Sequence, residues 1–301
     1  PIQRGHVQPA GIVVRVAASH IRVGTFHLAA QTDYTRQLAD YAIARHYPGA
    51  DYQEFFTQVM DAQIRTVSHW MRLGFIHGVM NTDNTTISGE TIDYGPCAFM
   101  EAYSPATVFS SIDRQGRYAF GNQPSILGWN LARLAESLLP LFDMDMNKAM
   151  SLAQESINGF SDRFEHQRRA DVAKALDTSL EVASSYAAAM QLNGPDITLA
   201  HRALADAAAG HPTHARELFA EGDFLDDYLA SSPDPSRVDS AMPRVIPRNL
   251  AVESALDAAE RGEMGPYQEL LHAVTHPWEP NPPFESPDPN GLEGYLTYCG
   301  T

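Results

Sequence analysis

Two long runs of apolar residues at helical spacing, separated by a stretch rich in Gly, Asn and Asp, set the main limit on this fold. Over residues 51–73, Phe55, Val59, Ile64, Val67, Trp70 and Met71 recur on one face of a helix. From Pro124, Ile126, Trp129, Leu131, Leu134, Leu138 and Leu141 repeat the pattern. Neither run alternates with period two, so both predict buried α-helices rather than strands. Shorter helical stretches are expected at 35–47, 145–160, 165–192, 197–210 and 213–220, with a last pair over 249–276. The first of these would be capped by Asp33 or Thr35, with Leu38, Tyr41, Ala42 and His46 on its buried stripe. The β-branched run at 11–17 reads as a strand. Residues 231–247 read as a polar loop, and 277–289 as an extended Pro-rich tail. The expected fold class is therefore mainly α with a few short strands.

Charge narrows the partners. Lys plus Arg is 21 and Asp plus Glu is 37, giving a formal net charge of −16. Such a surface repels phosphate backbones, so no nucleic-acid partner is expected. A small basic pocket for one nucleotide is still compatible with it. No apolar run approaches the ~20 residues of a membrane span, and the first residues lack the apolar centre of a signal peptide. A cytoplasmic monomer without membrane attachment is expected. Only Cys97 and Cys299 are present, too few for a disulfide scaffold or a four-cysteine zinc site. Two unpaired thiols are the expected state, with a single Cys97–Cys299 bridge as the alternative.

Chemistry concentrates between the two long helices, where 74–125 reads as loops and short strands on a helical body. His77-Gly78-Val79-Met80-Asn81-Thr82-Asp83-Asn84 is followed by Thr91-Ile92-Asp93-Tyr94-Gly95-Pro96. Asp83, Asn84 and Asp93 are hard oxygen donors, and Mg²⁺ is usually held by one or two carboxylates plus phosphate oxygens and water. His77 and Asn84 have the spacing of a kinase catalytic loop, and Asp93-Tyr94-Gly95 has the form of its metal-binding Asp-x-Gly turn. Val79 stands where a kinase has its catalytic Asp, leaving Asp83 as the nearest candidate base. Asp and Asn in loops are commonly plain turn residues. From spacing alone, metal–nucleotide binding and ordinary turns stand about level. Arg15 and Arg22, seven apart, suit bidentate phosphate contacts, although from spacing alone two surface arginines are the simpler reading.

Taken together these segments resemble the selenoprotein O family. The resemblance rests on 14–26, 77–84 and 92–96, then on Gln115-Gly116-Arg117-Tyr118-Ala119-Phe120, Trp129-Asn130-Leu131 and Pro247-Arg248-Asn249. It implies a protein-kinase-like C-lobe with altered chemistry, a pseudokinase in the protein-kinase sense, that transfers AMP from ATP to protein hydroxyl groups and releases pyrophosphate. It implies Asp83 as the base, Asn84 and Asp93 as ligands of Mg²⁺ or Mn²⁺, and Arg15 and Arg22 as holders of the terminal phosphate. It also implies one lobe over 1–301, divided into a nucleotide and metal region at 10–142, a helical extension at 143–276 and a Pro-rich tail at 277–301.

Two departures bear on activity. The family places a Gly-rich loop and a Lys–Glu pair ahead of the Arg15 segment, and the two lysines here are Lys148 and Lys174, both far downstream. A non-catalytic nucleotide-binding or scaffold module is therefore the alternative reading, and a kinase-type phosphotransferase the second. The family cysteine near the C-terminus corresponds to Cys299, but Cys97 is out of register with the second family cysteine. His272 and His276, four apart on an expected helix, have no third ligand nearby in sequence and are read as plain surface or core histidines.

Overall fold

The computed structural model describes residues 2–4, 6–8, 11–288, 292 and 295–297. Strands β1 (Ile2–Arg4) and β2 (His6–Gln8) form a short antiparallel hairpin with Gln3 opposite Val7. The β-branched run that follows is not the expected strand. Residues 11–17 are irregular, and Ile12, Val13, Val14 and Val16 are 81–96% exposed. A strand needs a hydrogen-bonding neighbour and a surface to cover, and among the described residues this run has neither.

Helices α1 (Val23–Gln31), α2 (Thr35–His46), α3 (Tyr52–Leu73) and α4 (Gln123–Phe142) build the first half of the molecule. The start of α3 is set by Asp51, whose carboxylate accepts from the Gln53 and Glu54 amides while Glu54 bonds back to the Asp51 amide. Its end is set by Gly74 in the left-handed conformation. Phe55, Val59, Ile64 and Val67 are buried as the periodicity requires. α2 begins without a side-chain cap, and its buried face carries Ala39 and Ala42 while Tyr41 is exposed. Trp129 also leaves its expected stripe. It is partly exposed on α4, with the Arg117 guanidinium 4.9 Å from its ring centre.

β3 (Phe75–Ile76) and β4 (Ala98–Phe99) pair antiparallel, Phe75 opposite Phe99, and close the base of the loop region. After α4 come α5 (Met146–Asn158), α6 (Phe160–Ala175), α7 (Leu180–Asn193), α8 (Ile197–Ala208), α9 (Thr213–Leu218), α10 (Phe224–Ala230) and α11 (Pro235–Ala241). The helix expected over 165–192 is two helices. Asp177 takes a left-handed φ of 48° after α6, and Ser179 then caps α7. α11 lies inside the expected 231–247 loop because Asp234-Pro235 is a cap followed by a first-turn proline, a helix start rather than a breaker. α12 (Asn249–Glu260) and α13 (Gly265–Thr275) form the last pair, and a single turn, α14 (Pro282–Glu285), interrupts the tail.

Two hydrophobic cores result. One joins α1 through α5 and the start of α6 around Phe26, Phe55, Phe56, Leu131 and Leu138. The other joins the β3–β4 pair to α6–α11 around Met100, Phe120, Leu204 and Tyr228. The loop after α3 straddles them, with Ile76 in the second core and Met80 and Ile87 in the first. Among the described residues no helix is long and apolar enough to cross a membrane.

Candidate nucleotide and metal site

The loop between β3 and β4 is held by polar side chains rather than by regular secondary structure. Buried Gln123, at the start of α4, accepts from the His77 amide and donates to the Phe75 carbonyl. Buried Asn130, about two turns further on, donates to the Met80 carbonyl. From α3, Gln63 donates to the Thr86 carbonyl at 2.5 Å and Trp70 donates to Thr91 Oγ1 at 3.0 Å. Each buried backbone group of the loop that is bonded this way avoids the ~1–3 kcal/mol cost of an unpaired polar atom. These side chains therefore fix the loop on the helices.

Within the loop one chain of hydrogen bonds joins the two expected metal ligands. The fully buried His77 donates from Nε2 to the carbonyl of Ile92, beside Asp93, at 2.8 Å. Its Nδ1 accepts from the Val79 amide at 3.4 Å, which fixes the neutral tautomer. Burial lowers the His77 pKa below the ordinary value, favouring the same neutral form. Val79 in turn accepts from Asn84 Nδ2 at 2.9 Å. One N–H of the Asn84 amide is thus used on the loop, and its oxygen is the atom available to a cation. Gly78, between His77 and Val79, has φ 82° with the Pro96 carbonyl against it, a place where a side chain would be both strained and blocked.

Asp93 itself sits at φ 62°, left-handed for a non-glycine residue. That conformation costs on the order of 1–3 kcal/mol and tends to persist where the surroundings over-determine it, commonly at functional sites. The carboxylate of Asp93 makes no hydrogen bond or ion pair with the described residues. Tyr94 is exposed, its hydroxyl on the Thr91 carbonyl.

Asp83 and Arg22 meet on the other side of the loop. A 3-10 turn at Thr82–Asn84, capped by Asn81 through the Asp83 amide at 3.0 Å, presents the exposed Asp83 side chain. Arg22 Nη1 donates to the Asp83 carbonyl at 3.0 Å, and Arg22 pairs through its backbone with Thr86. The Val23 amide donates to the Thr85 carbonyl and the Ile87 amide to the Ile21 carbonyl, zipping 21–23 to 85–87. Glu90 adds a clamp, accepting from the Ala18 and Ser19 amides at 3.0 and 3.3 Å. Those bonds, the Ala18 amide first, hold its carboxyl below the usual range. Arg15 is not brought into this arrangement. It is exposed and makes no hydrogen bond or ion pair with the described residues.

Comparison with known sequences decides the family. The sequence profile described as "Protein adenylyltransferase SelO" matches residues 1–198. The chain belongs to the SelO family. Relatives named "Protein nucleotidyltransferase YdiU" from Mycolicibacterium paratuberculosis and Corynebacterium efficiens are each 46% identical over 100% of this chain, covering 67% and 65% of the relative. A third, from Cereibacter sphaeroides, is 47% identical over 97% of the chain and 66% of the relative. The chain thus spans about two thirds of the length of these relatives. The reaction class of this SelO-family protein is adenylyl transfer to protein, with ATP as the nucleotide substrate.

Several residues that build the SelO-type loop were not legible as site residues in the sequence. Gln63 and Asn130 lie on the otherwise apolar stripes of α3 and α4. A polar amide on a buried stripe is the signal that could have found them, since burial demands a partner. Glu90 carries no comparable signal. Cys97 is half-buried with no disulfide, its thiol donating to the Tyr94 carbonyl, and Cys299 lies outside the described residues.

Proposed function

We propose that this SelO-family chain carries the acceptor-side half of an adenylyl-transfer site, within a kinase-like C-lobe spanning 1–301. In this reading Asp83 is the base, Asn84 and Asp93 hold Mg²⁺ or Mn²⁺, and Arg22 and Arg15 bind the terminal phosphate of ATP. The observation that carries it is the hydrogen-bond chain Ile92–His77–Val79–Asn84, which couples the two metal-ligand positions into one rigid unit. Both keep a free side-chain oxygen. Among the described residues no group of three or more His, Cys, Asp or Glu forms a metal cluster. A cation here would rely on the Asn84 and Asp93 oxygens plus phosphate oxygens and water, which is the habit of Mg²⁺. The residues fit that ion.

A divalent cation would supply neutralisation of the polyphosphate charge and alignment of its oxygens. The protein's own part is positioning and proton transfer. Arg22 approaches from the Asp83 side with its guanidinium partly free for phosphate, and Arg15 lies on the same N-terminal segment. Asp83 takes the proton of the acceptor hydroxyl as that oxygen bonds to the α-phosphorus, and the bond to pyrophosphate breaks. His77 stays neutral and holds both sides of the loop. Val79 has no proton-accepting atom, which favours adenylyl transfer over a kinase reaction at the kinase base position.

The helices of 143–276 would serve as the supporting extension and 277–301 as its tail, in a cytoplasmic monomer acting on protein substrates. The deciding experiment gives the protein Mg²⁺ and ATP labelled at the α- or the γ-phosphate, with Asp93→Ala as control, and repeats it on a longer chain that adds upstream sequence. Protein labelled from the α-phosphate alone, and lost in Asp93→Ala, is expected. Label from the γ-phosphate alone would overturn the reading in favour of phosphotransfer, and no label from either chain in favour of a binding module.

A further inference from the structure

A cavity of about 580 Å³ opens between the C-terminal turns of α3 and α6 and helix α11, and it shares no lining residue with the site above. Its charged lining is His69, Arg72, Asp171, Lys174, Asp177 and Arg237. Both carboxylates are hydrogen-bonded to protein donors, but the donors to Asp171 are neutral and leave its charge in place, whereas Asp177 is paired with the Arg237 cation. Asp171 accepts from Ser68 Oγ and from Gln167 Nε2 at 2.9 Å. Asp177 accepts from the Asp234 amide at 2.9 Å and from Arg237 at 3.1 Å, bonds that hold its carboxyl below the usual range.

The cations are not spent in the same way. Arg72 donates only to neutral atoms, the Ala241 carbonyl at 2.7 Å and the Met242 sulfur at 3.1 Å. Its remaining guanidinium donors have no acceptor among the described residues. Burial lowers its pKa while the neighbouring Asp171 carboxylate raises it, so Arg72 is a partly desolvated cation with no direct ion pair among the described residues. Lys174, one of only two lysines in a chain of net charge −16, makes no hydrogen bond or ion pair among the described residues. With Arg237 paired to Asp177 and Asp171 opposing one cation, Arg72 and Lys174 leave one positive charge in excess in the cleft, and its low-dielectric walls focus that field on anions.

We propose that this cavity is a second, anion-binding site, for a phosphate monoester group held by Arg72 and Lys174 with His69 at its edge. A planar guanidinium and an ammonium lining one cavity match a dianion with three terminal oxygens better than a single carboxylate. The volume exceeds that of a bare phosphate and falls in the range of small-molecule pockets, which leaves room for the organic part of an ester. Free phosphate and a phosphorylated side chain offer the same group, and the test separates them.

The test titrates the protein, with ¹⁵N-labelled histidine, with inorganic phosphate and separately with O-phosphoserine, at constant ionic strength, and reads the His69 ring resonances. A saturable His69 shift is expected, with affinity weakened about tenfold in Lys174→Ala, an exposed position whose loss spares the fold. A tighter response to phosphoserine identifies an ester as the ligand, and equal responses identify the free anion. Arg72→Gln, which loses its contacts to α11, serves only if its melting curve matches that of the parent, and it should then abolish the shift. A linear, non-saturating shift, an equal response to chloride, or an unchanged affinity in Lys174→Ala would each overturn the proposal.

Discussion

The backbone of Gly24, in the first turn of α1, lies directly against the carboxylate of Asp83, in the space a side chain would fill. A Cβ built on Gly24 would overlap Asp83 Oδ1 and come within 3.1 Å of its Cγ. The colliding atom is the end of a short flexible side chain, so a methyl group there would turn Asp83 away rather than unfold α1. Gly24→Ala is therefore expected to keep the fold and the ATP affinity and to lower turnover. A displaced catalytic group costs on the order of 10²-fold in rate. Steady-state kinetics, with KM for ATP and kcat separated, check it. An unchanged kcat would show that the aim of Asp83 is immaterial.

Direct removal of the proposed base gives a companion result. Asp83→Asn keeps size and hydrogen bonding but cannot take a proton, so adenylyl transfer should fall by about 10²–10⁴. Nucleotide binding, measured by calorimetry in Mg²⁺, should change little. Asp93→Ala should show the reverse emphasis, losing Mg²⁺-dependent nucleotide binding itself. Identical effects of the two substitutions would contradict the separate roles given to them.

A buried ion-pair cluster anchors the C-terminal helices to the loop region. Arg248, only 3% exposed, pairs with Asp196 at 2.6 Å and Glu101 at 3.2 Å and donates to the Glu285 carbonyl at 2.8 Å. Burial pushes the Glu101 carboxyl above its usual range in spite of Arg248. Arg248→Met would leave two carboxylates buried without their cation, a loss of about 3–5 kcal/mol. Urea unfolding at neutral pH measures it. The variant should recover part of the loss at lower pH, where Glu101 can be protonated.

Acid should destabilise the fold through buried histidine. His201, fully enclosed between α8 and α11 and bonded to the Val238 carbonyl at 2.8 Å, has its pKa lowered by burial from 6.5 to about 4. The unfolded chain takes up this proton near pH 6.5, whereas the folded chain does so only near pH 4. Stability from this group is thus complete above pH 6.5 and is lost as pH falls toward 4, by about 3 kcal/mol in all. His77, lowered in the same direction by burial, adds to the slope. His201→Gln should flatten the pH dependence of the unfolding free energy across that window.

Cys97 should be a poor nucleophile. Burial pushes its thiol up to about 11, so roughly a thousandth of it is thiolate at pH 8. Iodoacetamide should label the Cys97 peptide far more slowly than free cysteine, as read by mass spectrometry. Rapid labelling would mean that the Tyr94–Cys97 turn opens readily.

The sequence by itself determined the two long helices and most of the shorter ones, and where the proposed chemistry lies along the chain, but not α1, α10 or α11. The stripes of α3 and α4 are written in residues three and four apart, and Asp51 with Glu54 marks a helix start whatever the rest of the chain does. The order of His77, Asn84 and Asp93 was equally readable, because hydrogen-bonding and metal-binding chemistry reside in residue type. Local pattern failed where a partner decides the outcome. The run 11–17 has strand composition and no neighbouring strand among the described residues, and Asp234-Pro235 reads equally as a loop or a cap until a helix follows it. Only the tertiary structure set Gly24 against Asp83, Gln63 and Asn130 beneath the loop, and Arg72 and Lys174 around one cavity. Those relations join residues tens to more than a hundred positions apart. Space, burial and unpaired charge are properties of the packed chain and have no period in the sequence.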